Sequence, residues 1–178
     1  AGGQRAAEEI AGEPLYTTSD AQAALRLLRL VGYDERREVA SGISLRFLDA
    51  GHILGSAIAE ITVGSGDEAS TLVFSGDLGQ PGRPVLPDPT KVARADALVV
   101  ESTYGNRLHK SLASTLDELA QVLSLTLPRG NVVVPAFAVG RTQEVLYHVR
   151  ELYESGQLPR VPVYVDSPMA NSVVDLYC

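Results

Sequence analysis

The sequence contains few residues that could form disulfides or cross a membrane. Its 178 residues include one Cys, no Trp and three His. One Cys cannot form an internal disulfide, so a disulfide scaffold is excluded and a reducing compartment is expected. The longest nearly apolar run, residues 132–139, is interrupted by Pro135 and is far shorter than the roughly 20 residues of a membrane span. No signal peptide is recognisable, and we predict a cytoplasmic protein with no membrane partner.

Acidic residues outnumber basic ones. The sequence has 22 Asp and Glu against 15 Lys and Arg, which gives a formal net charge of −7. The excess is spread along the chain, which argues against a protein that holds nucleic acid by bulk charge. An enzyme whose acidic groups bind metal ions and whose few Arg residues grip phosphates locally is still open. With 45% hydrophobic and 21% charged residues, the composition is typical of a globular protein and excludes a disordered or collagen-like chain.

The first part of the chain has the pattern of a helix followed by β-strands. Thr17 and Asp20 are suited to begin a helix whose apolar positions recur as far as Leu28, and Gly32 is suited to end it. Alternation of apolar and polar residues then predicts two strands, a Gly-rich turn predicts a return to a third strand, and a polar, Pro-rich stretch predicts a surface loop. In chain order these are the strands 43–47 and 57–63, the turn 64–67, the strand 71–74 and the loop 79–90.

From residue 97 the pattern changes to alternating strands and helices. The predicted elements are the strand 97–100, the helix 112–127, the strand 131–134, the helix 141–154 and the strand 161–165. This alternation is typical of crossover units on a parallel sheet. We therefore predict an α/β protein with two domains, residues 1–105 and residues 106–178.

Three residues with metal-binding or acidic side chains directly follow predicted strands. They are His52 in a Gly-rich turn, Asp77 in Ser-Gly-Asp-Leu-Gly, and Glu101 in Glu-Ser-Thr-Tyr-Gly. In open α/β sheets, loops beyond the strand ends converge and bind ligands. Each residue alone also has a structural interpretation, since His and Asp commonly hydrogen-bond within turns.

Two further places could contact a substrate. Arg141 follows Gly140 at a predicted helix start, where a phosphate can bind, although a plain helix start is the alternative. Ser102 and Thr103 follow Glu101 and could face a substrate, or could hydrogen-bond locally at a loop that enters a helix.

Six segments in this order resemble one known family, the metallo-β-lactamase-fold nucleases that carry a β-CASP domain. The family includes the cleavage and polyadenylation specificity factor endonuclease and its prokaryotic RNA-processing relatives. The segments are PLYTTSDAQAAL, FLDAGHILGSA, VFSGDLG, ALVVESTYGNRLH, VPAFAVGRTQEVLYH and VYVDSPMA. The resemblance implies a partial metallo-β-lactamase αββα sandwich followed by the first part of a β-CASP parallel α/β domain.

The resemblance also implies roles for individual residues. His52 matches the family's third metal motif and would ligate one Zn²⁺, and Asp77 matches the fourth and would bridge two Zn²⁺ ions. Glu101 matches the first β-CASP motif, whose acid supports a His that acts on the leaving group. Two Zn²⁺ ions would activate a shared water for attack on RNA and neutralise phosphate charge. Asp77 and Glu101 are therefore the candidate catalytic residues, and Arg141, Ser102 and Thr103 are the candidate substrate-binding residues.

The sequence departs from the family pattern in one respect that affects activity. The motif H-x-H-x-D-H, which supplies most zinc ligands in the family, is absent from these residues, and so are the later β-CASP His motifs. We therefore expect an internal fragment of a longer enzyme that binds zinc poorly and does not cleave RNA alone. The alternative is a metal-free scaffold or an RNA-binding subunit of an RNA-processing complex.

A small-molecule hydrolase on the same metal fold is disfavoured. We expect the strand and helix insertion after Glu101 to form a lid over a groove, and such a groove would suit a polymer. A homodimer and a larger RNA-processing complex both stay open as assemblies of the intact protein.

Overall fold

The computed structural model describes residues 14–177. The chain separates into two compact units at the boundary between residues 32 and 33. The described part of the first unit holds one helix, α1 (Thr18–Leu25). Thr17 and Asp20 close its N-terminus in a capping box, as the sequence predicts, with the Asp20 carboxylate accepting from the Thr17 N–H at 2.8 Å.

The helix α1 is shorter than its apolar pattern predicts. It ends at Leu25 instead of continuing toward Gly32. The N–H groups of Leu27 and Leu28 donate to carbonyls three residues earlier, at 2.9 and 3.3 Å. The chain therefore tightens into turns after Leu25, as helices commonly do where they end.

The second unit contains a five-stranded sheet in which the strands lie in chain order. The strands are β1 (Arg36–Ala40), β2 (Ile43–Asp49), β3 (Ala57–Val63), β4 (Ser70–Phe74) and β5 (Ala97–Val99). Neighbours among the first four pair antiparallel, and β5 pairs parallel with β4. The strands β2 to β5 confirm the sequence prediction, whereas β1 was not predicted.

One face of this sheet carries the first apolar core. Leu48, Ile58 and Val73 lie on that face of β2, β3 and β4, and each is less than 5% exposed. Residues of the segment between β4 and β5 cover them, chiefly Leu78 and Val92. The residues that cover this core therefore lie on both sides of the predicted surface loop 79–90, and their packing fixes both ends of that loop.

Three helices follow the sheet. They are α2 (Leu112–Thr126), α3 (Arg141–Glu154) and α4 (Pro168–Tyr177). A second core joins α2 to α3, because Leu123, Leu152 and Leu158 are buried together. The helices α2 and α3 confirm the prediction, and α4 was not predicted.

Two predicted strands are wrong. Residues 131–134 and 161–165 form no strand, although both are rich in Val. Neither segment has a hydrogen-bonded strand neighbour within residues 14–177. Apolar β-branched residues form a strand only when another strand pairs with their backbone, so the pattern alone was insufficient. In the same described part, no helix combines the length and the apolar character that crossing a bilayer requires.

Candidate active site at the carboxyl edge of the sheet

The strand directions bring the three predicted site residues to one edge of the sheet. β3 runs antiparallel to both β2 and β4, and β5 runs parallel to β4, so β2, β4 and β5 all point the same way. Their carboxyl ends meet at one edge, which is where ligands bind in open α/β sheets. His52, Asp77 and Glu101 each follow one of these strands within three residues of its end.

The loops that carry His52 and Asp77 pack against each other through glycine. The Gly79 N–H donates to the Ala50 carbonyl oxygen at 2.8 Å. A Cβ atom on Gly79 would lie 1.6 Å from the Gly51 carbonyl oxygen, so no larger residue fits there. Gly51 itself has φ +61°, and a Cβ atom on it would lie 2.6 Å from the Pro87 carbonyl oxygen. Three backbone segments therefore meet at this point and hold the two site loops in one arrangement.

Glu101 joins the third loop to the second. Its Oε1 accepts the Leu78 N–H at 2.7 Å, one residue after Asp77. Its own N–H donates to Ser75 Oγ at 3.0 Å. The half-buried carboxylate of Glu101 thus fixes the backbone on which Asp77 lies.

The same contacts keep Glu101 ionised. The hydrogen bond from the Leu78 N–H lowers the pKa of the Glu101 carboxyl. The Thr103 hydroxyl, the Thr103 N–H and the nearby charge of His52 lower this pKa further, against the opposing effect of partial burial. At neutral pH, Glu101 is therefore a carboxylate that accepts hydrogen bonds and not a proton donor.

The side chains of His52 and Asp77 are exposed and accessible to a ligand. Neither side chain makes a hydrogen bond or an ion pair with another residue in the range 14–177, whereas the His52 N–H is fixed by Ser56 Oγ at 3.0 Å. An imidazole nitrogen and a carboxylate oxygen are zinc ligands by type. Within that range, however, no group of three His, Cys, Asp or Glu residues is placed to hold a metal ion. These residues therefore do not form a complete zinc site by themselves.

The predicted substrate-binding residues Ser102 and Thr103 lie in a turn directly after Glu101. Both are exposed, and the Ser102 carbonyl oxygen accepts the Gly105 N–H at 3.0 Å. The Thr103 hydroxyl contributes to the lowered pKa of the Glu101 carboxyl. The Ser102 side chain makes no hydrogen bond with another residue of the described range.

Arg141 is the first residue of α3, and the residue before it lies against the His52 loop. Gly140, before it, has φ +82°, and a Cβ atom there would lie 3.0 Å from Ile53 Cγ2. The α3 N-terminus is thus packed on the residue that follows His52. The Arg141 side chain is more than half exposed, and its Nη1 forms an ion pair with Glu144 Oε2 at 3.0 Å.

The sequence analysis missed Arg83 and Glu144. Arg83 Nη1 lies 2.6 Å from Glu144 Oε1, which joins the segment after Asp77 to α3 across 61 positions of sequence. Nothing in the local pattern of either residue signals this pair. Arg83 lies in a stretch whose composition predicts only a surface loop, and Glu144 lies within a predicted helix with no sign of a special role.

Comparison with known proteins shows which proteins this chain is similar to. Residues 142–178 match the Beta-Casp domain. The chain is 43% identical over 171 residues to Ribonuclease TTHA0252 of Thermus thermophilus, covering 95% of this chain and 38% of that protein. It is 34% identical over 161 residues to the RNase J-like protein of Methanocaldococcus jannaschii, covering 88% of this chain and 37% of that protein.

A further relative has a different name. The chain is 40% identical over 138 residues to Transcription termination factor FttA of Methanosarcina mazei, covering 75% of this chain and 21% of that protein. The chain thus spans less than two fifths of the length of each of these relatives. The matches confirm the resemblance found in the sequence, and the chain is a relative of the metallo-β-lactamase-fold β-CASP ribonuclease family.

Proposed function

We propose that this chain is part of a zinc-dependent RNA hydrolase and contributes His52, Asp77 and Glu101 to its active site. The observation that carries the proposal is the meeting of three loops at the carboxyl edge of the sheet. Glu101 fixes the backbone beside Asp77, while the His52 and Asp77 side chains stay open to a ligand. Two relatives whose names contain ribonuclease or RNase support RNA as the substrate.

Each of the three residues has a distinct role in this proposal. His52 and Asp77 would hold metal, and Zn²⁺ supplies a Lewis acid that activates water and neutralises phosphate charge. Zinc normally takes four ligands in such sites, so residues outside the described range would have to provide the others. Glu101 stays ionised, keeps the Asp77 loop in position and orients its neighbours.

The incomplete ligand set also bears on what these 178 residues do alone. We propose that the isolated chain binds zinc weakly and does not cleave RNA. An active isolated chain, with cleavage that depends on metal and is lost in Asp77→Ala, would contradict this part of the proposal.

The main test uses the protein encoded by the complete reading frame that contains this sequence. Purified protein is loaded with zinc and incubated with labelled single-stranded RNA, and fragments are separated by electrophoresis. Cleavage is expected, and His52→Ala and Asp77→Ala are expected to abolish it. Asp67→Ala is the matched control, because Asp67 is an exposed acid in a turn at the opposite end of β4. Undiminished cleavage by Asp77→Ala would overturn the proposed site.

A metal-free RNA-binding scaffold is the second candidate function. The observation that favours it is that residues 14–177 hold no group of three potential metal ligands. The two functions differ in zinc content, which atomic absorption of the complete protein measures directly. Stoichiometric zinc supports the hydrolase, and RNA binding without zinc or cleavage supports the scaffold.

A further inference from the structure

Two arginines share one carboxylate beside the candidate active site. Arg83 Nη1 lies 2.6 Å from Glu144 Oε1, and Arg141 Nη1 lies 3.0 Å from Glu144 Oε2. The two guanidinium groups thus bind the two oxygens of the same carboxylate and are held side by side. Only 17% of the Glu144 side chain is exposed, so the carboxylate is largely enclosed between its partners.

The charges of this group do not cancel. Two guanidinium groups and one carboxylate leave a surplus positive charge, in a chain whose formal net charge is −7. The Arg141 side chain is 58% exposed and that of Arg83 is 32% exposed. Both can therefore offer further N–H groups to solvent or to a ligand. A guanidinium fork matches the oxygens of a phosphate.

The two arginines lie on chain segments that are connected to the loops of His52 and Asp77. Arg83 lies six residues after Asp77, on the segment that passes over the sheet. Arg141 follows Gly140, and a Cβ atom on Gly140 would lie 3.0 Å from Ile53 Cγ2. Ile53 is the residue after His52. The two guanidinium groups therefore project from elements that are themselves fixed to the loops of the candidate site.

From this geometry we infer that Arg83 and Arg141 together bind a backbone phosphate of the RNA, and that Glu144 is a positioning residue that aligns them. The inference rests on the proposed function, because it assumes that the strand bound at this edge is RNA. The negative charge of Glu144 repels a phosphate. Glu144 also restricts the two flexible Arg side chains before the phosphate binds, so less conformational entropy is lost on binding.

Binding of a fluorescent single-stranded RNA by the complete protein tests the two arginines. All variants carry Asp77→Asn so that the RNA stays intact, and affinity is measured by anisotropy over a series of salt concentrations. Arg83→Ala and Arg141→Ala are each expected to weaken binding about tenfold, for RNA of any sequence. Each is also expected to reduce the slope of log K against log salt by about 0.7.

The matched control is the pair Arg150 and Glu154, which also lies on α3. Arg150 Nε donates to Glu154 Oε1 at 2.7 Å, and both side chains are more than half exposed. Arg150→Ala removes the same charge from the same helix and is expected to leave affinity and salt slope unchanged. An equal loss in Arg150→Ala and Arg83→Ala would overturn the inference, because net charge alone would explain both.

Glu144→Gln provides a test in which two explanations predict opposite signs. If Glu144 acts only as a charge, its neutralisation strengthens the binding of a polyanion. If it aligns the two guanidinium groups, Glu144→Gln weakens binding, and we expect a loss of several fold. Glu154→Gln is the control and is expected to leave binding unchanged or slightly stronger. Tighter binding by Glu144→Gln would overturn the positioning role.

The remaining outcomes separate this inference from the proposed function. If Arg83→Ala does not fold, Arg83→Lys keeps the charge and loses the planar fork, and a smaller loss of affinity with the same sign is expected. If the parent protein binds RNA and neither Arg83 variant changes the affinity, the inference is wrong and the proposed function stands. If the parent protein neither binds nor cleaves RNA, the proposed function itself fails.

Discussion

Asp96 and Thr71 exchange two hydrogen bonds at the start of the parallel strand pair. The Asp96 N–H donates to the Thr71 carbonyl oxygen at 2.8 Å, and the Thr71 N–H donates to Asp96 Oδ2 at 2.7 Å. The register that follows pairs Leu72 with Ala97 and Val73 with Leu98. A parallel pair needs its register fixed at one end, and these two bonds fix it. They thereby determine where β5 ends, and so where Glu101 lies.

The Asp96 carboxylate predicts a dependence of stability on pH. The Thr71 N–H, and more weakly Arg94, lower the pKa of Asp96. Ionised Asp96 therefore stabilises the native state above its unfolded pKa of about 3.9, and this contribution is lost as the pH falls through the lower native value. Urea unfolding at a series of acidic pH values should show a steeper rise of stability with pH in the parent chain than in Asp96→Asn.

The control for this titration is Asp67→Asn. Asp67 is exposed and makes no hydrogen bond or ion pair with another residue of the described range. Its substitution is expected to leave the acidic part of the stability profile unchanged. Identical profiles for Asp96→Asn and the parent chain would show that the Thr71 contact does not contribute.

Gly79 is predicted to tolerate no side chain. Because a Cβ atom at this position would overlap the Gly51 carbonyl oxygen, Gly79→Ala must displace one of the two site loops. We expect a loss of at least about 1–3 kcal/mol in the free energy of unfolding, measured by urea denaturation. Gly130→Ala is the control, since a Cβ atom on Gly130 meets no atom within 4 Å. Equal stability of the two variants would contradict the close approach of the loops.

Asp77 should matter for function and not for stability. Its carboxylate makes no hydrogen bond or ion pair within the described range, so Asp77→Asn removes no structural contact. We expect the free energy of unfolding of the chain to change by less than about 0.5 kcal/mol. The same substitution in the complete protein is expected to abolish RNA cleavage. A large loss of stability would indicate a structural role for Asp77 instead.

The site elements could be predicted because their signals are local. The strands β2 and β3 alternate apolar and polar residues, and the Gly-rich turn after β3 signals that the chain returns as β4. Thr17 and Asp20 likewise signalled the start of α1 through a contact three residues apart. Such patterns depend on neighbours in sequence, so the chain alone reveals them.

The parts that could not be predicted depend on partners distant in sequence. Residues 131–134 have the composition of a strand, but among residues 14–177 no strand lies beside them. The pair Arg83 and Glu144 joins positions whose local sequences give no sign of each other. The contact of Glu101 with the Leu78 N–H is also invisible in sequence, because one partner is a backbone group.

Glu101 should contribute to stability as well as to the site. Glu101→Ala removes the acceptor of the half-buried Leu78 N–H, which we expect to cost about 1–3 kcal/mol in the free energy of unfolding. Glu101→Gln keeps an oxygen that can accept this N–H and should cost less, although it loses the charge. Urea denaturation at neutral pH measures both, with Glu68→Ala as the control because Glu68 is exposed in the turn before β4. If Glu101→Ala costs no more than Glu68→Ala, the Leu78 contact does not hold the loop, and Glu101 acts only through its charge.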